Sequence, residues 1–110
     1  MEDRMDEMAE VFKLLGDKTR LSIIALLNER ELCVCDIVDL TGMSQPNASQ
    51  HLRKLKTAGL VNETRKRQWV YYSLSLPVKP YLRGILDHLP SMKDKIEALK
   101  GNDCEVQEQA

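Results

Sequence analysis

At 110 residues the chain is long enough for one domain with a modest core, which a partner would help to complete. No run approaches the roughly 18 apolar residues of a bilayer span, and the acidic start does not fit a signal peptide. The net charge of −1 hides an asymmetry: residues 1–43 carry five basic and ten acidic side chains, whereas residues 44–80 carry seven basic ones against Glu63 alone. That positive block, and not the overall balance, is what points to nucleic acid. Three cysteines, an odd number, argue for free thiols in a reducing cytoplasm over a secreted disulfide framework.

Met5, Met8, Phe12 and Leu15 share one side of a first amphipathic helix, with Ala9 beside them. Such a stripe serves either the domain's own core or a dimer interface. Asp17 is placed to cap a second helix reaching about Asn28, whose Leu21, Ile23, Ile24, Leu26 and Leu27 make it the centre of the monomer. A third helix is expected to carry Cys33 and Cys35. Residues two apart lie about 200° from each other on a helix, so the two thiols are expected to diverge. Cys33 aligns with Ile37 and Leu40 on the buried side, and Cys35 with Asp39 on the polar side. Two thiols one residue apart suit a soft ion.

The next segment reads as the turn and second helix of a helix-turn-helix. Gly42 supplies the turn, Ser44 the N-cap, and Pro46 sits in the first turn, where its missing amide costs nothing. Ala48, Leu52 and Leu55 face inward, and Gly59-Leu60 end the run. Gln45, Asn47, Ser49, Gln50, Arg53 and Lys54 are left outward, a surface without one acidic residue and suited to base edges and phosphates in a major groove. His51 reads equally as a base contact or as a packed, hydrogen-bonded histidine. Strands over Val61–Thr64 and Trp69–Leu74 then flank a basic tip, Arg65-Lys66-Arg67-Gln68, expected to lie along the phosphate backbone or the minor groove. Val70 and Leu74 are expected to face the core and one tyrosine to touch DNA. Beyond Pro77 and Pro80, Tyr81, Leu82, Ile85, Leu86 and Leu89 form a stripe halted by Pro90, and Met92, Ile96 and Leu99 continue it. One small domain cannot cover both terminal apolar helices, so a two-fold dimer burying Met5, Met8, Phe12, Tyr81, Leu82, Ile85 and Leu89 is expected. The fold expected is mainly α with a small β-hairpin, one domain over residues 1–101, and a mobile tail over 102–110.

Glu31-Leu32-Cys33-Val34-Cys35-Asp36-Ile37, Ser44-Gln45-Pro46, Ser49-Gln50-His51-Leu52, Leu55 and Ala58-Gly59-Leu60-Val61 resemble the ArsR/SmtB family of metal-sensing repressors. The likeness extends over roughly residues 9–76, and the cysteine stretch is similar to the arsenical-resistance branch. It implies a homodimeric winged helix-turn-helix repressor that leaves an imperfect inverted repeat of double-stranded operator DNA when an inducer ion binds. As(III) or Sb(III), which take three sulfurs, fit the thiols best, with Cd(II) or Pb(II) as alternatives. The chain departs from the best-known arsenic pattern, which has a third cysteine where Val38 stands. Cys104, an exogenous thiol or water is left to complete the site. The family's zinc-sensing branch uses paired Asp/His and His/Glu positions on its last helix, and here only Asp87 and His88 are offered, adjacent and on different faces. A rival reading makes the thiols a redox or reactive-sulfur sensor. An enzyme is not expected: there is no Ser-His-acid set, no Gly-rich phosphate loop, and Cys-x-Cys is not the Cys-x-x-Cys redox spacing.

Overall fold

The computed structural model describes residues 2–75 and 79–99; Cys104 and the expected tail fall outside them. Helix α1 (Glu2–Leu15) leads into α2 (Lys18–Glu29), strand β1 (Leu32–Cys33), α3 (Val34–Thr41) and α4 (Gln45–Thr57). Strands β2 (Val61–Lys66) and β3 (Trp69–Leu74) follow, then a 3₁₀ turn (Pro80–Leu82) and the short helices α5 (Arg83–Asp87) and α6 (Lys93–Glu97). The three strands form one antiparallel sheet in the order β1-β3-β2.

Helix α2 is the centre of the molecule. Asp17 caps it by accepting the amide of Arg20 at 3.1 Å, and that bond holds its carboxyl below the ordinary value. Ile23 through Leu27 are all buried, so this helix is enclosed by its neighbours and not merely half-covered. Helix α3 ends at Gly42, whose φ of 76° is the left-handed conformation that glycine adopts freely, and whose amide donates to the Val38 carbonyl at 2.9 Å. The Thr41 hydroxyl closes the same turn on the Ile37 carbonyl at 2.7 Å. Two residues later Ser44 opens α4, its hydroxyl accepting from the Asn47 amide at 3.3 Å. Ala48, Leu52 and Leu55 are fully buried, and each leucine contributes about 1.5–3 kcal/mol by leaving water. This stripe seats α4 against α2, α3 and β2.

Four expectations are corrected. Cys33 is not in α3: it is the last residue of β1, with a ψ of 163°, pairing with Tyr71 as Leu32 pairs with Tyr72. Tyr71 and Tyr72 are both buried, so neither is available to DNA; β3 is the central strand, covered on both faces, while Val70 and Leu74 are half-buried at the edge of the core. Leu82 is 5 % exposed and belongs to the core of its own chain, so it is not part of a face offered to a second copy. The hairpin turn itself is Arg67-Gln68, with Arg65 and Lys66 still in β2.

Candidate nucleic-acid interface and thiol site

The inward stripe of α4 dictates what remains outside. Ser44, Gln45, Asn47, Gln50, Arg53 and Lys54 are exposed and Ser49 is half-buried, so the polar and cationic groups expected on this face are there. No acidic residue stands in the first turn, and Lys54 and Lys56 occupy the last. His51 turns the other way. Its Nδ1 lies 3.2 Å from Nη1 of Arg20, and Arg20 Nε donates to the Leu14 carbonyl at 2.7 Å. A guanidinium has only donors, so Nδ1 accepts here. His51 therefore fastens α4 to α2 and the end of α1, which is the packed alternative of the two sequence readings.

The wing places Arg65, Lys66, Arg67 and Gln68 at the surface. Arg67 has a φ of 60°, a conformation costing a side-chain-bearing residue about 1–2 kcal/mol. Lys66 is drawn back toward the body: its ammonium pairs with Glu31 at 2.7 Å and lies 4.7 Å from the centre of the Tyr71 ring. Lys56 similarly pairs with Glu63 at 2.6 Å, tying the end of α4 to β2.

The two cysteines lie where β1 becomes α3. An extended residue at Cys33 followed by a helical first turn brings its sulfur to 2.9 Å from that of Cys35, so the expected divergence does not arise. Cys33 is fully buried against Tyr71, with Cys35 and Trp69 packed around them. Burial pushes the Cys33 thiol up to about 12; the amide of Asp36 hydrogen-bonds the sulfur and acts in the opposite sense, while the Asp36 carboxylate adds to the rise. Asp36 is a residue the sequence analysis did not place in the site. It is 5 % exposed, and one ligand atom each from Cys33, Cys35 and Asp36 lie within 4.8 Å of one another. Its signal was its spacing: three residues after Cys33 and in the first turn of α3. Two adjacent sulfurs, one buried and one half-buried, with a carboxylate at hand fit a thiophilic ion.

The expected interface residues divide. Met5 and Phe12 are 66 % and 43 % exposed, Met8 and Tyr81 are half-buried, and Phe12 packs on Tyr81 with ring centres 5.8 Å apart. Ile85 and Leu89 pack, half-buried, on their own core.

Residues 17–63, from the cap of α2 into β2, match the model of the bacterial regulatory protein, arsR family. The chain is 38 % identical over 95 residues to the arsenical resistance operon repressor of Escherichia coli, covering 84 % of this chain and 81 % of that one. The chain belongs to the arsR family. This arsR-family chain is also 45 % identical over 69 residues to a cadmium resistance transcriptional regulatory protein, a CadC homolog of Staphylococcus aureus, covering 62 % of this chain and 57 % of the relative. Among solved structures, the homodimeric winged helix-turn-helix DNA-binding domain of Mb0332 from Mycobacterium bovis superposes with a TM-score of 0.68 at 27 % identity, covering 90 % of this chain and 85 % of that one. The arsR-family chain is thus a transcriptional regulator with a winged helix-turn-helix fold, and its relatives' role is not enzymatic. Among the described residues no helix is long and apolar enough to cross a membrane.

Proposed function

We propose that this regulator is a homodimeric repressor that leaves its operator when a thiophilic ion, arsenite or antimonite first, is bound by Cys33 and Cys35. The observation that carries this is the 2.9 Å approach of a fully buried sulfur, that of Cys33, and a half-buried one, that of Cys35, at the junction leading straight into the helix-turn-helix. It is supported by the similarity to an arsenical resistance operon repressor. The exposed apolar side chains of α1 supply the second copy's docking face, and two α4 helices then enter successive major grooves about 34–36 Å apart on an inverted repeat. Arg53, Lys54 and the wing cations neutralise phosphates, while Gln45, Asn47, Ser49 and Gln50 read base edges.

When bound, the ion supplies a multivalent charge that holds thiolates in place of thiols. The chain's own part is to surrender those protons and transmit the change. Cys33 holds its proton firmly, so response strengthens as pH rises. Cys33 pairs with Tyr71 in β3, and Cys35 stands in the first turn of α3. A shift between the two sulfurs therefore passes to the wing through β3 and to α4 through the Gly42 turn. No unwinding of a helix is needed to bring the sulfurs together. Coupling of about 1–3 kcal/mol per site suffices for release. Replacing Cys35 with Ser is expected to preserve operator binding and abolish release by arsenite; a variant that dissociates like the parent would contradict the assignment.

The same distance favours a second reading, in which peroxide takes two electrons and two protons from the thiols and is reduced to water as a disulfide forms. Release by peroxide without any metal, with loss of two mass units, would select it.

A further inference from the structure

Strand pleating decides where each cation of the wing points. Lys66 pairs with Trp69 and Thr64 with Tyr71, so these four side chains stand on one face of the hairpin. Cys33 pairs with Tyr71 from the other side and shares that face, whereas Arg65, paired with Val70, stands on the opposite one. Lys66 is therefore directed back over the sheet toward β1. Its ammonium meets the Glu31 carboxylate at 2.7 Å and lies 4.7 Å from the centre of the Tyr71 ring. Glu31 leads directly into β1 and Tyr71 is buried in β3, so both holds on Lys66 are built into the sheet.

We propose that Glu31 is an autoinhibitory contact: its carboxylate competes with the DNA backbone for Lys66 and keeps each wing one phosphate contact short. This rests on the reading of the wing as a phosphate contact and narrows it, since Lys66 reaches a phosphate only by leaving Glu31. Carboxylate and phosphate oxygens present the same kind of charged acceptor to an ammonium. The exchange is closely balanced. The Lys66 side chain is 48 % exposed and that of Glu31 36 %, so water weakens the pair, and the flexible stem of lysine swings without disturbing the strand. Such a contact lowers affinity by a modest factor and does not abolish binding. What it restrains is the sequence-independent attraction of the wing, which leaves a larger share of the binding to the base contacts of α4.

The test uses the full, reduced chain and an alternating adenine–thymine duplex, on which non-specific binding reports the phosphate contacts. Glu31→Gln is expected to tighten binding by about two- to fivefold and to steepen the salt dependence by roughly 0.9 for each wing engaged. In a Lys66→Met background the same change is expected to gain nothing. An equal gain in both backgrounds would overturn the proposal, because loss of any negative charge near DNA would then suffice. No gain with Lys66 present would overturn it as well. A measurement without DNA separates the hold on Lys66 from the role of the wing. In the proton NMR spectrum the Tyr71 ring is expected to move the Lys66 ε-methylene signals upfield, and Glu31→Gln to return them toward those of a solvated lysine. Solvated values in the parent would overturn the hold itself. A parent that keeps the upfield signals yet binds no duplex would instead remove the reading of the wing, and the proposal with it.

Discussion

Helix α4 and the β1–α3 corner both begin from an extended residue and are separated by α3 and its closing turn, yet they hold their chemistry in opposite ways. In α4 a fully buried apolar stripe is the support, and the polar groups stand in water, ready for a surface larger than the protein. At the corner the reactive groups are themselves part of the packing: Cys33 fills space against Tyr71, and Asp36 is enclosed beside it. An operator is a macromolecule and needs an exposed reader, whereas a small ion is held best where water is scarce and donors are few. The lesson is that affinity and response should be separable by mutation, since different atoms carry them.

The largest effect expected falls on the support beneath the reader. Leu52→Ala removes a fully buried side chain and should cost about 2–5 kcal/mol in urea unfolding, with operator binding lost in proportion to folding and not selectively. Alkaline pH attacks the corner instead. Burial raises the Cys33 thiol from 9.0 to about 12 and raises the Tyr72 hydroxyl as well, so the folded state retains protons that the unfolded state releases. The stability this represents is complete below about pH 9 and is lost as pH climbs toward 12. A Cys33→Ser variant should therefore show a flatter melting temperature across that range; an equally steep profile would assign the loss elsewhere.

Changes on the outward face should spare the fold. Arg53→Ala is expected to weaken operator binding by about 1–3 kcal/mol with arsenite response intact. The smallest effect is expected at the wing, and it has two signs. Arg67→Gly relieves the positive φ and should stabilise the chain by roughly 0.5–1 kcal/mol, yet lower operator affinity and reduce its salt dependence by about one unit of slope. Loss of both stability and affinity would mean that Arg67 is held by contacts worth more than its strain.

How much of this was legible in the residues differs between the two regions for a physical reason. Ala48, Leu52 and Leu55 announce α4 because a helix of 13 residues repeats its period enough times to be seen, and Ser44 and Gly59 punctuate it. Strand β1 has two residues and no period; it exists because β3 offers Tyr71 and Tyr72 an edge to pair with, a tertiary fact. Helical spacing applied across that corner put Cys33 and Cys35 on opposite sides and left Asp36 out. The alternation in β3 misled similarly, since a central strand buries both faces and both tyrosines with it. His51 was undecidable from spacing, and its packing against Arg20, 31 residues away, is a tertiary contact that no local pattern announces.

The most direct test of an ion-released repressor is operator affinity of the reduced, full-length protein with and without saturating arsenite, while the fluorescence of Trp69, the chain's one tryptophan and a neighbour of the thiol pocket, confirms that the site is filled. We predict a fall of about 5–150-fold in affinity on filling, and none in Cys35→Ser. An operator gripped equally well by the filled and the empty protein would contradict the account.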